Sequence, residues 1–481
     1  MTTALLAASV SACTVGPDYS PRTPEQLGVP ASFSVPATPT REDLTQWWTR
    51  FDDPLLQRLV ASAADTNLDV AQAVARLRQA REALIQSRAQ MLPSVTGSAG
   101  YSRNQNLLGG SAAIVLPDGT VTNISRGNSN NFQLGANVSY QLGLFGEVRR
   151  TVEASGADYQ ASGYNLATVI LSTQGEIARN YILARAAQAQ LVNARASLGL
   201  QDDNLEIAGF RVQAGLVSSL DREQARSQRA QTAATIPTLE ANYNSAVSRL
   251  GVLTGQAPGA LKTELAAVRP IPKSPAIVGT GIPADVLRQR PDVLAAERIL
   301  AAATARIGVA EAQLYPRFSL TGNVNTNAAA VGGLFDTVIG TLFAGLNQLI
   351  FDAGRQRAVV RSSEAAADAA FAAYKGTVLT ALEDVENAVV ALDTARARQR
   401  EFTTALDAAN STALLARLQY RSGLTDFITL TQAESALLSA RNGLTQAQSD
   451  EATALVQLYL ALGGGWDAAA GAPQAPERQD R

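Results

Sequence analysis

Histidine is absent from the 481-residue chain, and cysteine occurs only once, at Cys13. The missing histidine removes the commonest general base and a leading metal ligand, and a single cysteine excludes disulfides and thiolate clusters within the chain. Carboxylates remain, but pairs of carboxylates are common on solvated helix faces. We therefore expect a protein that is not an enzyme and that holds no metal and no non-covalent cofactor.

Neither sign of charge dominates the chain, and long apolar runs are missing. Lys and Arg number 40 against 42 Asp and Glu, which gives a formal net charge of −2. A phosphate-binding surface usually shows a marked basic excess, so this balance argues against nucleic acid as a partner. No stretch approaches the roughly 18 uncharged apolar residues that a membrane-spanning helix needs. We expect no α-helix that crosses a bilayer.

The N-terminal stretch MTTALLAASVSAC ends in small residues followed by the single cysteine. Its last four residues, VSAC, fit the bacterial lipobox, which predicts a signal peptide over residues 1–12 and an acylated Cys13 as a covalent lipid anchor. The alternative is an ordinary signal sequence with a chance cysteine, because no Lys or Arg precedes the apolar stretch. Residues 13–52 are rich in Pro, Ser and Thr, which predicts an extended N-terminal tether.

The rest of the chain consists of two similar halves. The segment QAGLVSSLD resembles RSGLTDFIT, and their glycines, Gly215 and Gly423, lie 208 positions apart. The phenylalanines of LFGEVRR and IFDAGRQR lie 206 positions apart. Two nearly equal offsets indicate an internal two-fold repeat. We assign residues 53–257 to the first repeat, 258–282 to a linker, 283–462 to the second repeat and 463–481 to a C-terminal tail.

Each repeat is expected to contain a helix, two strands, a very long helix, a tight turn and a final helix. The long helices are predicted from 147 to about 214 and, after IFDAGRQR begins the second, to about 421. The strands are predicted at 94–103, 131–142, 317–326 and 341–350, with a long loop between the first two.

The stretch NFQLGANVSYQL at 131–142 alternates strictly between apolar and polar residues, which is typical of a strand with two different faces. We expect one face to meet lipid and the other to line a water-filled pore. The expected lipid-facing residues are Phe132, Leu134, Val138 and Tyr140, and the expected pore-facing residues are Asn131, Gln133, Asn137 and Gln141.

The long helices distinguish between two interpretations of these strands. A half-buried sheet in a soluble α+β domain would also alternate, but helices of about 100 Å do not fit in a compact core. Strands that enter a membrane need a closed barrel, and known barrels have about eight strands or more. Four strands per chain therefore predict an oligomer.

Several longer motifs resemble a known family. The strongest is RPDVLAAERILAAATARIGVAEAQLYPRFSLTG at 290–322, and others are CTVGPDYSPRTP, WWTRFDDPLLQRLV, SYQLGLFGEVRR, SGLTDFITL and LALGGGW. In this order they resemble the TolC-like outer-membrane efflux proteins, in particular the NodT-type lipoproteins of RND efflux systems. The resemblance covers nearly the whole chain.

The resemblance implies an α+β membrane protein that works as a passive exit duct. It implies a homotrimer that closes one twelve-stranded β-barrel, four strands per chain, continuous with a long periplasmic α-helical barrel. Such a duct exports drugs or other small molecules from the periplasm through the bacterial outer membrane. Its partners are a periplasmic adaptor (membrane fusion) protein and an inner-membrane RND transporter. The alternatives are the outer-membrane channel of a type I protein secretion system and a non-conducting trimeric scaffold.

The resemblance also implies functional positions at the two turns between long helices. The family's adaptor-docking turns match Ala214, Gly215, Leu216, Ser422, Gly423 and Leu424. Its periplasmic gate matches Asp221 and Tyr420. Arg421 and Asp426 are further gate candidates, with solvated charges at a turn as the commoner explanation for both. The glycines also have a local explanation, since a tight turn between helices often needs a positive φ.

Overall fold

The structure, a computed structural model, describes residues 14–36, 43–105, 107, 111–115, 117, 119–125, 128–275, 278–467 and 471–474. The predicted signal peptide and the predicted lipidation site at Cys13 lie outside the described residues. No helix within the described part of the chain is long and apolar enough to cross a membrane.

Helices account for most of the described chain. They are α1 Pro24–Leu27, α2 Pro54–Ala61, α3 Ala63–Thr66, α4 Leu68–Ala89, α5 Glu147–Gln213, α6 Ser219–Leu253, α7 Lys262–Leu265, α8 Pro283–Gln289, α9 Pro291–Ala312, α10 Arg355–Arg421 and α11 Phe427–Ala461. Short 3₁₀ helices lie at Trp47–Arg50 and Val331–Gly333.

Three pairs of helices have equal lengths. Helices α4 and α9 each have 22 residues, α5 and α10 each have 67, and α6 and α11 each have 35. The starts of α5 and α10 differ by 208 positions, as do the starts of α6 and α11. This spacing equals that of the two turn glycines in the sequence.

Four strands form one antiparallel sheet, as expected. The strands of the described chain are β1 Ser94–Asn104, β2 Ser111–Val115, β3 Val121–Ser125, β4 Ser129–Leu142, β5 Arg317–Ala328 and β6 Val338–Asn347. The sheet has the strand order β1-β4-β5-β6, whereas β2 and β3 pair with each other in a separate hairpin. This hairpin corrects the prediction of a plain loop between the first two strands.

The strand ends differ from the predicted ends, most clearly at β6. The predicted strand 341–350 is observed at Val338–Asn347. Its last pair joins Asn347 to Arg317, and the residue that precedes Arg317 is Pro316. Proline has no N–H to donate, so the ladder ends there although the apolar run continues to Ile350. The other three strands extend the predicted ranges by one or two residues at their ends.

The described chain divides into two compact units, each built from both halves of the sequence. The first contains the described residues of Met1–Ser20, Ala80–Tyr159 and Ile299–Ala370, and it holds the four-stranded sheet. The second contains the described residues of Pro21–Gln79, Gln160–Arg298 and Phe371–Arg481, and it holds the turns between the long helices.

A fully buried arginine organises part of the second unit. Arg185 on α5 donates to the side-chain oxygen of Gln188 at 2.7 Å and to the main-chain oxygens of Ala267 at 2.8 Å and Leu265 at 3.3 Å. Its guanidinium lies 4.9 Å from the ring centroid of Tyr181. Arg185 therefore fixes the chain that follows α7 against α5.

The hydroxyl of Tyr181 connects the same helix to the start of α2. It donates to Asp53 at 2.6 Å, and Asp53 also caps α2 by accepting from the main-chain N–H groups of Leu55 and Leu56. Burial, together with the bond to Asp53, raises the pKa of Tyr181 to about 12. The phenol therefore stays protonated and donates this bond at neutral pH.

Candidate functional site: a two-faced sheet and two helix turns

One face of the sheet is mostly apolar. Phe132 lies opposite Tyr101 in the register, and Val138 lies between Val95 of β1 and Gly322 of β5. Directly paired residues share a face of a sheet. Several of these side chains are uncovered, among them Val138 at 38% exposed and Leu342 at 76%. The large apolar residues of this face are Val95, Tyr101, Phe132, Leu134, Val138, Tyr140, Leu142, Phe318, Leu320, Val324, Val338, Leu342 and Leu346.

The opposite face is polar apart from its glycines and two apolar residues, Ile339 and Phe343 on β6. Its polar residues are Ser94, Thr96, Ser98, Ser102, Asn104, Ser129, Asn131, Gln133, Asn137, Ser139, Gln141, Arg317, Ser319, Thr321, Asn323, Asn325, Asn327, Thr341 and Asn347. The register therefore separates the eight residues singled out on β4 into the two expected groups. Which surroundings each face meets stays a prediction.

The sheet has two edges within the described chain. Strands β1 and β6 each pair on one side only, with β4 and β5 respectively. Each edge strand therefore carries main-chain N–H and C=O groups that no strand of the described chain satisfies. Unpaired edges of this length are templates for pairing with another chain.

The turn after α5 is built around Gly215. Its φ is 69°, and its N–H donates to the main-chain oxygen of Val212 at 3.0 Å. The N–H of Leu216 donates to the main-chain oxygen of Arg211 at 2.9 Å. These two bonds define a Schellman motif, which satisfies the last carbonyls of the helix and needs a positive φ at the glycine. Ala214 and Leu216 are exposed beside it, and Leu216 is 72% exposed.

The turn after α10 repeats this geometry. Gly423 has a φ of 73°, and its N–H donates to the main-chain oxygen of Tyr420 at 3.1 Å. The N–H of Leu424 donates to the main-chain oxygen of Gln419 at 2.9 Å. Ser422 is exposed, and Leu424 is 79% exposed. The two turns are therefore equivalent pieces of backbone, each presenting an uncovered leucine.

Further exposed apolar residues flank both turns at equivalent positions. Clustered exposed apolar residues mark contact surfaces, whereas single ones scattered over a surface are ordinary. The arrangement supports the docking assignment, which stays a prediction. The exposed pairs separated by 208 positions are Phe210 with Leu418, Leu216 with Leu424, and Leu220 with Ile428.

Alanine at either turn glycine should destabilise the protein without any steric clash. Nothing in the described chain lies within 4 Å of a Cβ added at Gly215 or Gly423, so the cost is the backbone strain of a positive φ, about 1–2 kcal/mol. Gly209 is a matched control because it lies in α5 with equally open space around it. Gly209→Ala should stabilise by about 0.5–1 kcal/mol. Denaturation midpoints of the purified variants measure both effects, and equal shifts at positions 209 and 215 would contradict the strained-turn explanation.

The gate candidates occupy different environments in the second unit. Tyr420 is 2% exposed and packs edge-on against Phe427, with ring centroids 5.8 Å apart. Its hydroxyl has no hydrogen-bond partner in the described chain, so it makes no bond to Asp221 there. Asp221 lies half-buried in the first turn of α6, and Arg421 is exposed at the end of α10.

Asp426 caps the last long helix. Its carboxylate accepts from the N–H of Thr429 at 2.9 Å, at the N-terminus of α11. The hydrogen bonds from Thr429 hold the pKa of Asp426 below its usual range. A negative charge at this position also complements the positive end of the helix. Capping explains Asp426 without a gate role, although it does not conflict with one.

A buried carboxylate near the second turn is not evident from the sequence. Glu434 on α11 accepts from Arg417 at 2.8 Å and from Asn204 at 2.7 Å. These bonds join α11 to α10 and to α5. Nothing in the local sequence distinguishes Glu434 from a solvated helix residue, because its partners are distant in the sequence or on another helix.

A second residue that sequence reasoning missed, Arg150, holds the start of the tether in the first unit. Its guanidinium donates to the main-chain oxygens of Val15 at 3.2 Å and Gly16 at 3.0 Å, and it pairs with Asp18 at 2.7 Å. The N–H of Val15 also donates to Phe145 at 3.3 Å. The available signal was the motif SYQLGLFGEVRR, which contains Arg150 but does not reveal its partners.

The tether continues along α10 in the second unit. The guanidinium of Arg22 lies 5.4 Å from the ring centroid of Phe371, and Leu27 is fully buried. Further on, the N–H and the hydroxyl of Ser34 donate to the carboxylate of Glu386 at 2.7 and 2.6 Å. The described part of the tether is thus bound to the helices by specific contacts.

The contact between Ser34 and Glu386 should open in acid. The side-chain and main-chain hydrogen bonds from Ser34 hold the pKa of Glu386 below its usual range. Because the pKa is lowered in the bound state, the contact is fully stable above the free value of about 4.3 and is lost as the pH falls through the lowered pKa. A spin label at Ala31→Cys, in a Cys13→Ser background, should therefore become mobile only below about pH 4.3.

Two carboxylate variants on α10 provide the controls for this prediction. Glu386→Ala removes both acceptors of Ser34 and should mobilise the label at every pH, whereas Glu383→Ala, three residues away at an exposed position, should leave the transition unchanged. A label that stays immobile in strong acid in the unaltered tether would contradict the assignment.

Among the described residues, no group of three or more His, Cys, Asp or Glu side chains is placed to hold a metal ion. The geometry instead combines an uncovered apolar sheet face, a polar sheet face and two exposed helix turns. An uncovered apolar face beside a polar face is typical of a sheet between lipid and water, and uncovered apolar turns are typical of contact surfaces.

Comparison with solved structures identifies the class of protein. The chain has the fold of outer-membrane channels: it matches the outer-membrane channel OprN with a TM-score of 0.84 and 34% identity, over 94% of this chain and 100% of that one. It is 32% identical to nodulation protein T of Rhizobium leguminosarum bv. trifolii over 97% of both chains. It is 30% identical to the pyoverdine export outer membrane protein OpmQ of Pseudomonas putida, over 93% of this chain and 94% of that protein.

The family follows from the match to a family model. The model described as outer membrane efflux protein matches residues 59–256 and 282–464. The chain belongs to the outer membrane efflux protein family. This confirms the resemblance, the outer-membrane location and the role in efflux.

Proposed function

We propose that this protein is the outer-membrane exit duct of a tripartite RND-type efflux pump, through which drugs or other small molecules leave the periplasm passively. The observation that carries the proposal is the sorting of β1, β4 and β5 into an apolar and a polar face, with β6 apolar on the same face as the other strands and mixed on the opposite one. A sheet of this kind suits a barrel wall between lipid and water. No step of bond making or breaking is part of the function.

Closure of the barrel requires further copies of the chain. Four strands with two unpaired edges fall short of the eight or so that known barrels need, and in lipid every main-chain group must find a partner. We propose a homotrimer in which β1 of one copy pairs with β6 of the next, giving one twelve-stranded barrel. The equal helix lengths at a spacing of 208 support an internal duplication, with four long helices per chain in the periplasmic helical barrel.

The two helix turns are the proposed docking points for a periplasmic adaptor protein. Both present an exposed leucine beside a Schellman glycine, and both are flanked by further uncovered apolar residues at equivalent positions. The adaptor would connect the duct to an inner-membrane RND transporter, which supplies the energy. Asp221, Tyr420, Arg421 and Asp426 lie at this same end of the helices and are the proposed gate residues.

The proposed lipid anchor is an acylated Cys13. The described chain begins one residue later, and Arg150 fixes residues 15–18 in the unit that contains the sheet. Acyl chains on Cys13 would then meet the membrane that receives the sheet. Cells fed labelled palmitate should label the wild-type chain and not the Cys13→Ser variant, and labelling of that variant would refute the anchor.

Conductance measurements test the duct. Purified protein in planar bilayers should form pores that are mostly closed, and Asp221→Ala combined with Tyr420→Phe should raise the fraction of time that they are open. Unchanged conductance in this double variant would remove the gate assignment while leaving the duct intact. Complete absence of pores, with and without the gate substitutions, would favour a non-conducting scaffold.

A further inference from the structure

The long helices form two helical hairpins, α5 with α6 and α10 with α11. An arginine of the first hairpin contacts the end of α10 in the second. Arg211, in the last turn of α5, places its guanidinium 4.4 Å from the ring centroid of Tyr420, in the last turn of α10. The same guanidinium donates to the main-chain oxygen of Tyr420 at 2.9 Å. One side chain therefore holds both the ring of Tyr420 and the C-terminal end of its helix.

The ring of Tyr420 is enclosed on its remaining sides. It belongs to a buried cluster of the second unit with Phe427, Leu430, Ala413 and Ala416. The hydroxyl is buried as well, and it has no hydrogen-bond partner in the described chain. A buried hydroxyl without a partner is costly, so the packing around the ring and the contact with Arg211 must hold it there.

The equivalent positions at the other turn carry residues that cannot form such a contact. At the spacing of 208, the counterparts of Tyr420, Phe427 and Arg211 are Val212, Ser219 and Gln419. An aliphatic side chain, a hydroxyl and an amide cannot form an aromatic pair or a cation–π contact. The two turns have the same backbone geometry, but the contact between an aromatic ring and an arginine is found at the second turn and not at the first.

We propose that Arg211 is a positioning residue of the gate, which holds Tyr420 in its enclosed orientation and thereby couples the two hairpins of each chain. A hydroxyl enclosed within its own chain cannot bond to a neighbouring copy until the ring turns outward. Arg211 therefore sets the balance between an enclosed Tyr420 and one that is free to bond elsewhere. This inference rests on the proposed function of the helix ends as a gate.

Single-channel recording of Arg211→Gln tests the coupling. The variant loses the charge and the planar stack, and the open fraction should change by about twofold to thirtyfold, as expected for a partly desolvated cation–π contact. Arg211→Lys keeps the charge and a donor for the carbonyl but loses the planar guanidinium, so its change should be intermediate. Arg226→Gln, which alters a highly exposed arginine on α6, removes the same charge near the same end and should behave as wild type.

A thermal measurement on detergent-purified protein provides a readout that does not depend on conduction. In the wild-type background, Tyr420→Phe removes an enclosed hydroxyl without a partner and should raise the melting temperature. In the Arg211→Gln background, the ring is free to turn and the same substitution should give no increase. A structural role for Arg211 alone would leave the effect of Tyr420→Phe the same in both backgrounds.

The outcomes separate this inference from the proposed function. If wild-type protein conducts and Arg211→Gln opens like Arg226→Gln, the positioning role is overturned and the duct remains. If no variant conducts but Tyr420→Phe raises the melting temperature only when Arg211 is present, the proposed duct function is contradicted. The positioning role of Arg211 is then supported independently of conduction. Should Arg211→Gln not assemble, Arg211→Lys answers both measurements, and wild-type behaviour in both would overturn the inference.

Discussion

The Val138→Arg variant should fail to accumulate in the outer membrane, whereas Asn137→Arg should accumulate normally. Val138 and Asn137 are neighbours on β4, but their side chains lie on the apolar and the polar face respectively. An arginine on a lipid-facing position of a barrel costs up to about 2–4 kcal/mol, and every copy in an oligomer bears that cost. Membrane fractions probed for the protein should contain Asn137→Arg at wild-type levels and little Val138→Arg.

The Asn137→Arg variant also tests whether the polar face of the sheet lines the pore. An arginine on the water-lined face adds positive charge to the path of ions, so channels of Asn137→Arg should shift their selectivity toward anions. Equal accumulation of the two variants, or loss of Asn137→Arg alone, would show that the faces are assigned wrongly. Because the introduced residue and the strand are matched, general effects of adding a charge cancel in the comparison.

Replacing Arg185 with methionine should destabilise the protein by about 2–3 kcal/mol, even though methionine is apolar and suits a buried position. The substitution leaves the main-chain oxygen of Ala267 without the donor that Arg185 now supplies, whereas the oxygen of Leu265 keeps its bonds from Gln188 and Tyr243. It also removes the cation–π contact with Tyr181. Relief of a buried charge offsets part of this loss, which is why the expected effect is smaller than the sum of the contacts.

Arg179→Met is the matched control for this prediction. Arg179 lies on the same helix, its side chain is mostly exposed, and its ion pair is with Glu176 at 3.7 Å. Exposed pairs of this kind contribute little, so the denaturation midpoint should stay close to wild type. Similar midpoints for Arg185→Met and Arg179→Met would show that the carbonyl of Ala267 finds another partner.

Helix ends are predictable here because their signals are local. The sequence predicts long helices that begin at 147 and end near 214 and 421, and they are observed at Glu147–Gln213 and Arg355–Arg421. The Schellman glycines mark both ends in the sequence itself. The alternation of β4 likewise identifies its two faces without knowledge of the neighbouring strands, since successive side chains of a strand point to opposite sides.

Contacts between distant segments are not predictable in the same way. The end of β6 depends on Pro316, which precedes a different strand, and the hairpin of β2 and β3 lies in a stretch whose Gly and Asn content indicates a loop. The roles of Arg150, Arg185 and Arg211 depend on main-chain oxygens that belong to other segments. An isolated sequence does not show which carbonyls a given arginine will reach.

The two unpaired sheet edges have a consequence for the life of a newly made chain. A single copy carries open β-strand edges beside an uncovered apolar face, and such surfaces promote aggregation. Chaperones must keep such a chain apart from its copies until it reaches the membrane. Proteases degrade the copies that are not delivered. The time between synthesis and assembly therefore determines how many copies aggregate or are degraded. A shorter time lets more of this protein reach the membrane.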